Sequence, residues 1–330
     1  MPLPRWFRRL VLAPAVVLLA LLVVTTLPVS LLLAAAASPL VPGRLRPLRL
    51  LWMAAVYLAV DAVLLVALAG LWLAAGFGVY LRRPAFQRLH YALTGFMLRV
   101  LYGQARWALR LRMRVSGTNP DAARPGRPLI VLCRHAGPGD SFLLTHALIN
   151  WYAREPRIVL KATLQWDPAI DVLLNRLPSR FITAGPDMEA AIGSLAVGLD
   201  ENDAFVIFPE GGNFTPERWQ RGIDRLRRLG LTRMAARAQR MTHVLAPRPG
   251  GVLAALDAAP DADILLVAHT GLDHLLTIGD VWRELPMDKT LTMRWWLEPR
   301  AEVPVGREER IEWLYDRWAR VDGWVAAHQP

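Results

Sequence analysis

Residues 128–141 read PLIVLCRHAGPGDS. The first six are an unbroken apolar run, the pattern of a strand covered on both faces. Gly137-Pro138-Gly139 is a tight turn. Asp140 stands where a helix over 141–151 needs its N-cap. His135 then lies at the C-terminal end of the strand and Asp140 at the mouth of the helix. In open α/β sheets that edge is where ligands bind. A carboxylate beside an imidazole fixes its tautomer and leaves the other ring nitrogen free to take a proton from a hydroxyl. The spacing alone is common, and a capping Asp beside a surface His is the plain alternative.

Outward from this segment the pattern repeats. Strands are expected at 110–115, 157–160, 179–183, 204–208, 264–268 and 290–297. Helices are expected at 169–177, 188–199, 219–240, 251–256 and 307–327. Alternating strands and helices give an α/β fold with a mostly parallel sheet flanked by helices.

The N-terminal hundred residues differ. Residues 10–43 carry no charge, and residues 50–81 carry only Asp61. About 20 apolar residues span a bilayer core, so both runs are long enough. They are expected to form an N-terminal apolar helical membrane anchor over 1–100, with the globular body over 101–330. Three Arg flank every boundary, so charge does not orient the pair. Pro28 could break the first run into a re-entrant hairpin. A signal peptide is the competing reading, but its apolar core is only about 7–15 residues. Asp61 is expected to face a partner helix or lie near the interface, with a functional role as the alternative.

The chain has 330 residues, 54% hydrophobic and 20% charged, with net charge +11. Mean hydropathy is +0.26. Ten Arg against one Asp fall in the first hundred residues. The excess charge therefore sits with the apolar runs, which suits anionic membrane lipids and argues against nucleic acid. A single cysteine, Cys133, excludes an internal disulfide and a Cys-based zinc site. No metal-ligand cluster is present in the pattern, and His269 and His274 read as structural.

Two further segments carry chemistry. Phe208-Pro209-Glu210-Gly211-Gly212-Asn213-Phe214 follows a buried strand. Paired glycines allow positive φ and expose N–H groups to an anion, and a plain turn is the alternative. Val244-Leu245-Ala246-Pro247-Arg248-Pro249 leads through a rigid turn into a helix. The arginines of 219–240 form either a solvated face or an anion contact. Trp219, Trp295 and Trp296 are either interface anchors or core.

In this order the three segments resemble the glycerophospholipid acyltransferase family (the PlsC type, 1-acylglycerol-3-phosphate acyltransferases). His135 and Asp140 match its H-x4-D motif. Phe181 and Ile182 match the centre of G-x-x-F-I-x-R. Phe208, Pro209, Glu210 and Gly211 match F-P-E-G-T-R, and Pro247 matches the Pro-centred fourth motif. The resemblance covers about residues 110–260. It implies the glycerolipid acyltransferase fold and direct acyl transfer from acyl-CoA or acyl-carrier protein to a lysophospholipid hydroxyl, with no other cofactor. His135 is the implied base, Asp140 its orienting partner, and Glu210 a third member of the catalytic set. Backbone N–H groups of Gly211 and Gly212 are candidates for acceptor or oxyanion binding. The implied place is a bacterial cytoplasmic membrane, with the catalytic body facing the cytoplasm.

The departures bear on the acceptor. Arg134 replaces the Asn before the His, Pro178 and Ala184 replace the Gly and Arg of the second motif, and Gly212-Asn213 replace Thr-Arg. In the family those two Arg help hold the acceptor's phosphate. Arg134, Lys161 or Arg180 could restore the charge, or the acceptor's head could differ, as in a glycolipid. A non-catalytic lipid-binding scaffold of the same fold is a further alternative. An esterase using Ser141 lacks the G-x-S-x-G elbow.

Overall fold

The computed structural model describes every residue except Met1, Pro2, Pro138, Ala184, Pro186, His274, Leu276 and Pro330. Pro138 of the turn, Ala184 of the second motif and His274 therefore lie outside the described residues.

The chain opens with two long helices, α1 (Arg5–Leu40) and α2 (Arg46–Ala74), and a third, α3 (Pro84–Gln104). Then come β1 (Arg112–Gly117), β2 (Leu129–Cys133), α4 (Asp140–Tyr152), β3 (Glu155–Lys161), α5 (Pro168–Leu174) and β4 (Ser179–Ile182). α6 (Met188–Ala196), β5 (Asp203–Ile207), α7 (Pro216–Arg228), α8 (Thr232–Arg240) and α9 (Pro249–Ala258) follow. The chain closes with β6 (Asp263–Thr270), α10 (Ile278–Glu284), β7 (Thr290–Glu298) and α11 (Arg307–His328).

The strands form one sheet in the order β1-β7-β6-β2-β5-β3-β4. β6, β2, β5, β3 and β4 run parallel, β7 runs antiparallel to β6, and β1 runs parallel to β7. The sheet is thus mostly parallel and flanked by helices, as the alternation of elements predicts. Every residue of β2 and β5 is buried. Period-two geometry splits them between two cores. Ile130, Leu132, Phe205 and Ile207 pack with α9 and α11, while Leu129, Val131, Cys133, Ala204 and Val206 pack with α4.

Several expectations change. Residues 219–240 form two helices, because Gly230 at φ +73° ends the first in a left-handed turn. Trp219 Nε1 donates to the carbonyls of Ala238 (3.2 Å) and Met241 (2.6 Å), so this ring ties α7 to the end of α8. Trp295 and Trp296 are also core. α3 was not foreseen: its polar and apolar residues alternate around a helix rather than forming a run. Pro28 sits inside α1 without ending it. One lost hydrogen bond does not stop a long helix whose other turns are intact.

α1 and α2 are long and apolar enough to cross a membrane by length and composition. The two are covered very differently. In its most apolar window α1 is 6% buried and α2 is 39% buried. The cluster Val60, Leu64, Leu65 and Leu68 of α2 packs with Tyr91 and Met97 of α3 and Val172 and Leu173 of α5. Polar bonds tie α2 to the body along its length. Arg46 donates to the carbonyls of Leu285 and Arg283 (both 2.7 Å), Trp52 to Gln104 (2.9 Å), and Arg176 to the carbonyl of Leu68 (2.6 Å). Asp61 is buried facing Asp167, the residue before α5.

Candidate active site

Loops leaving the C-terminal ends of β2, β5 and β6 meet at one edge of the sheet. His135 follows β2, Phe208–Asn213 follow β5, and Asp273 follows β6. The parallel order β6-β2-β5 makes them neighbours.

His135 Nδ1 lies 3.7 Å from Asp140 Oδ2, and the Asp140 side chain is fully buried. Asp140 is not the N-cap of α4; Gly139 holds that place. Its carboxylate instead folds back on its own loop, where Oδ2 accepts from the backbone N–H of Ala136 (2.7 Å) and of Gly137. Those bonds hold the turn that sets the distance to His135. Burial pushes the Asp140 carboxyl up, but His269, His135 and the Gly137 N–H outweigh it and keep it below its usual range. The carboxylate is thus ionised where it faces the imidazole. His135 Nδ1 is sealed inside without a hydrogen-bond partner, whereas Nε2 is not among the sealed atoms. The nitrogen that would take a proton is the open one.

The backbone of His135 is clamped from both sides by the β5 loop. Its N–H donates to Glu210 Oε1 (3.0 Å), and its carbonyl accepts from the Phe214 N–H (3.2 Å). Glu210 Oε2 accepts from the Leu245 N–H (2.8 Å). Glu210 is fully buried, and burial pushes its carboxyl up to about 8 against the pull of those N–H groups and Arg134. Both Glu210 oxygens are spent on backbone, so in this structure the side chain braces the His135 backbone. The Leu245 N–H thus goes to a side chain rather than to a strand ladder. The Phe208 ring packs on the His135 imidazole, centroids 4.7 Å apart. The Pro209 carbonyl accepts from the Arg248 N–H (2.9 Å), which brings the loop containing Pro247 alongside.

The expected anion ligands are distributed otherwise than foreseen. Arg134 is buried and donates to the His269 carbonyl (2.6 Å), the His243 carbonyl (3.0 Å) and the Asp273 carboxylate. It therefore ties β2 to the ends of its neighbours and offers no free charge. Lys161 ends β3 and Arg180 lies within β4, both exposed. β3 is two strands from β2, or about 10 Å, and β4 is one farther. The Gly211 N–H is spent on the Phe208 carbonyl (3.1 Å), while Gly212 and Asn213 N–H groups make no hydrogen bond among the described residues.

Two residues outside the matched motifs join the site: His269, which the sequence reads as structural, and Asp273. His269 Nε2 lies 2.9 Å from the Arg134 carbonyl and 3.5 Å from Asp140 Oδ2, so a second imidazole faces the same carboxylate oxygen. Asp273 accepts from Arg134 and from the Thr270 hydroxyl (2.7 Å). Neither carries a spacing signal. Only the adjacency of β6 to β2 brings them in.

Beside this edge lies an apolar cavity of about 330 Å³. Gly137, Gly139 and Asp140 form one side, and Met53 of α2, Leu98 of α3 and Phe142 of α4 belong to its walls. The arrangement can place a hydroxyl at His135 with an apolar chain beside it.

Residues 114–249 match the family model described as acyltransferase. The resemblance read from the motifs is borne out over that segment. No curated protein matches the chain. Among solved structures the chain is similar to the 1-acyl-sn-glycerophosphate (LPA) acyltransferase PlsC from Thermotoga maritima, at 15% identity, covering 80% of this chain and 96% of that chain, with a TM-score of 0.47.

Proposed function

Taking the acyltransferase match of the central segment as premise, we propose that this protein transfers a fatty acyl group from acyl-CoA or acyl-carrier protein to the hydroxyl of a lysophospholipid. The observation that carries the reading is the His135–Asp140 pair, with Nδ1 turned to the buried carboxylate and an apolar cavity lined by Gly137, Gly139 and Asp140 of the same loop. His135 Nε2 takes the hydroxyl proton as the oxygen attacks the thioester carbon. The C–O bond forms, the C–S bond breaks, and the proton passes to the leaving thiolate. Asp140 balances the imidazolium between these steps. The apolar cavity holds a chain of one substrate, and the free N–H groups of Gly212 and Asn213 are the donors for the oxyanion.

A lipid acceptor and a water-soluble donor meet at a membrane surface, and the N-terminal helices suit that place. α2 is bonded to the body at both ends, so its length of about 43 Å runs along the body rather than away from it. α1 covers α2 on the outside and turns Leu18, Leu21, Leu22, Leu32 and Leu33 outward. In this reading α1 and α2 form a hairpin set into one leaflet of the cytoplasmic membrane, with the body on the cytoplasmic side.

The test is transfer of labelled acyl groups by the full-length protein to a panel of lysolipids. Wild type is expected to acylate at least one, and His135→Ala to lose about 10²–10⁴ in rate with binding of donor kept. Donor binding without transfer to any acceptor would leave only a lipid-binding role.

A further inference from the structure

One wall of the cavity beside Asp140 is a face of α4. Gly139 at the cap, Phe142, Leu143 and His146 line it, and their spacing of three and four puts them on one side of the helix. His146 is the odd member of that face. It is buried, and acyl transfer at His135 gives it no part. Six residues after Asp140, it stands about 9 Å farther along the helix axis, away from the reacting atoms and beside the chain. The Tyr57 hydroxyl also borders the cavity, but it is spent on Asp167.

A chain of bonds fixes which ring nitrogen of His146 carries the hydrogen. Arg99 donates to Asn150 Oδ1. Asn150 Nδ2 donates to the Gly95 carbonyl (3.1 Å) and faces His146 Nδ1 at 3.0 Å. Turning the amide over would set its NH2 against the guanidinium and its oxygen against a carbonyl, so the orientation is determined by its neighbours. An NH2 group only donates, so His146 Nδ1 accepts and carries no hydrogen. Burial first, and then the charge of Arg99, lower the pKa of the ring and keep it neutral. A neutral imidazole with a bare Nδ1 carries its hydrogen on Nε2. That N–H makes no hydrogen bond among the described residues, and Nε2 is not among the sealed atoms.

We propose that the His146 Nε2–H binds an oxygen substituent on the chain held in the cavity, and so selects an oxygenated chain over a plain hydrocarbon. A methylene packed against this N–H leaves a buried donor unpaired, whereas a hydroxyl or ether oxygen at that point satisfies it. The difference corresponds to about tenfold or more in favour of the oxygenated chain. The offset along α4 sets the oxygen several carbons beyond the reacting carbonyl. The chain belongs either to the acyl donor or to the lysolipid, and the chemistry recognised is the same: one neutral oxygen on an otherwise apolar chain. The inference rests on the acyl-transfer reading for the molecule that brings the chain, but not for the N–H that meets it.

The test is competition, with the full-length protein, between acyl-CoA donors of equal length, one plain and one hydroxylated, the hydroxyl being moved stepwise along the chain. The same series is run with lysolipids of plain and hydroxylated chain. Wild type is expected to favour one hydroxyl position by about tenfold or more in kcat/KM. A preference among donors assigns the cavity to the donor's chain, and a preference among lysolipids assigns it to the acceptor's. His146→Leu, which lacks the N–H, is expected to abolish the preference. His146→Gln, which can accept from Asn150 and still donate, should retain part of it. Tyr102→Phe removes the hydroxyl of the ring packed on His146, centroids 4.7 Å apart, and should leave the preference in place. The ratio is internal to each variant, so a smaller folded fraction does not alter it. No preference at any position on either chain, or one that survives His146→Leu, overturns the inference. If the protein transfers nothing to any acceptor, thermal protection by free fatty acids decides. Stronger protection by a hydroxylated than by a plain acid of equal length, in wild type but not in His146→Leu, supports it. Equal protection by the two, or none, overturns it.

Discussion

Asp140 faces two imidazoles with one oxygen. His135 approaches Oδ2 at 3.7 Å and His269 at 3.5 Å, and the same oxygen also accepts two backbone N–H groups. An ionised carboxylate so deep in the fold is kept by such donors and by nearby positive charge. In the proposed reaction His269 acts through Asp140 as a positioning residue, and its Nε2 contact to the Arg134 carbonyl holds the backbone next to His135. His269→Phe is expected to lower kcat by about tenfold or more with little change in KM, because it disturbs the pair and not the substrate sites. His269→Gln, which can still donate to the Arg134 carbonyl, should recover part of the loss. A change confined to KM would remove His269 from this role. Glu210 shows why residue type alone misleads: in the sequence it is one of three acid–base candidates, but both oxygens are committed to backbone N–H groups.

Among the elements, α2 and α3 do more than apolar composition suggests. Their residues Met53, Tyr57, Leu98 and Leu101 line the cavity next to Asp140. The space for a chain is thus built between the N-terminal helices and α4. Ala105, directly after α3, also lines it. Ala105→Phe places a ring in about 330 Å³ and is expected to shift donor preference toward shorter acyl chains, with short-chain rates within about twofold of wild type. Competition between acyl-CoA species of different length measures this, and an unshifted profile would show that the chain lies elsewhere. The two apolar runs were legible because a hydrophobic stretch needs no partner to be recognised. α3 was not, because its pattern acquires meaning only once α2, α4 and α5 are seen to cover it.

For the whole molecule, the bonding of α2 bears on the hairpin proposed above. Arg46 at its start and Leu68 toward its end both touch the body. A helix held at both ends by one body cannot carry its far end across a bilayer. In the hairpin reading the turn between α1 and α2 lies on the same side as the body. Cys133 is buried, so a single introduced thiol is a clean reporter. Arg44→Cys in sealed vesicles is expected to react with an impermeant maleimide from the side that also labels Arg228→Cys. Labelling from opposite sides would establish two crossings and refute the hairpin.

The sequence by itself determined the alternation of strands and helices, the two apolar runs, and the placing of His135 and of Phe208–Asn213 after buried strands. Each of these is written in neighbouring residues, as a run, a period or a turn, and neighbouring residues obey the same local geometry in any context. Only the tertiary structure decided that Arg134 is spent inside the fold, that both Glu210 oxygens go to backbone N–H groups, and that His269 joins Asp140. Those outcomes depend on which strands are adjacent and which loops meet. His269 and the Arg134 carbonyl are 135 residues apart, and no periodicity in the chain encodes a contact that only the order β6-β2-β5 creates.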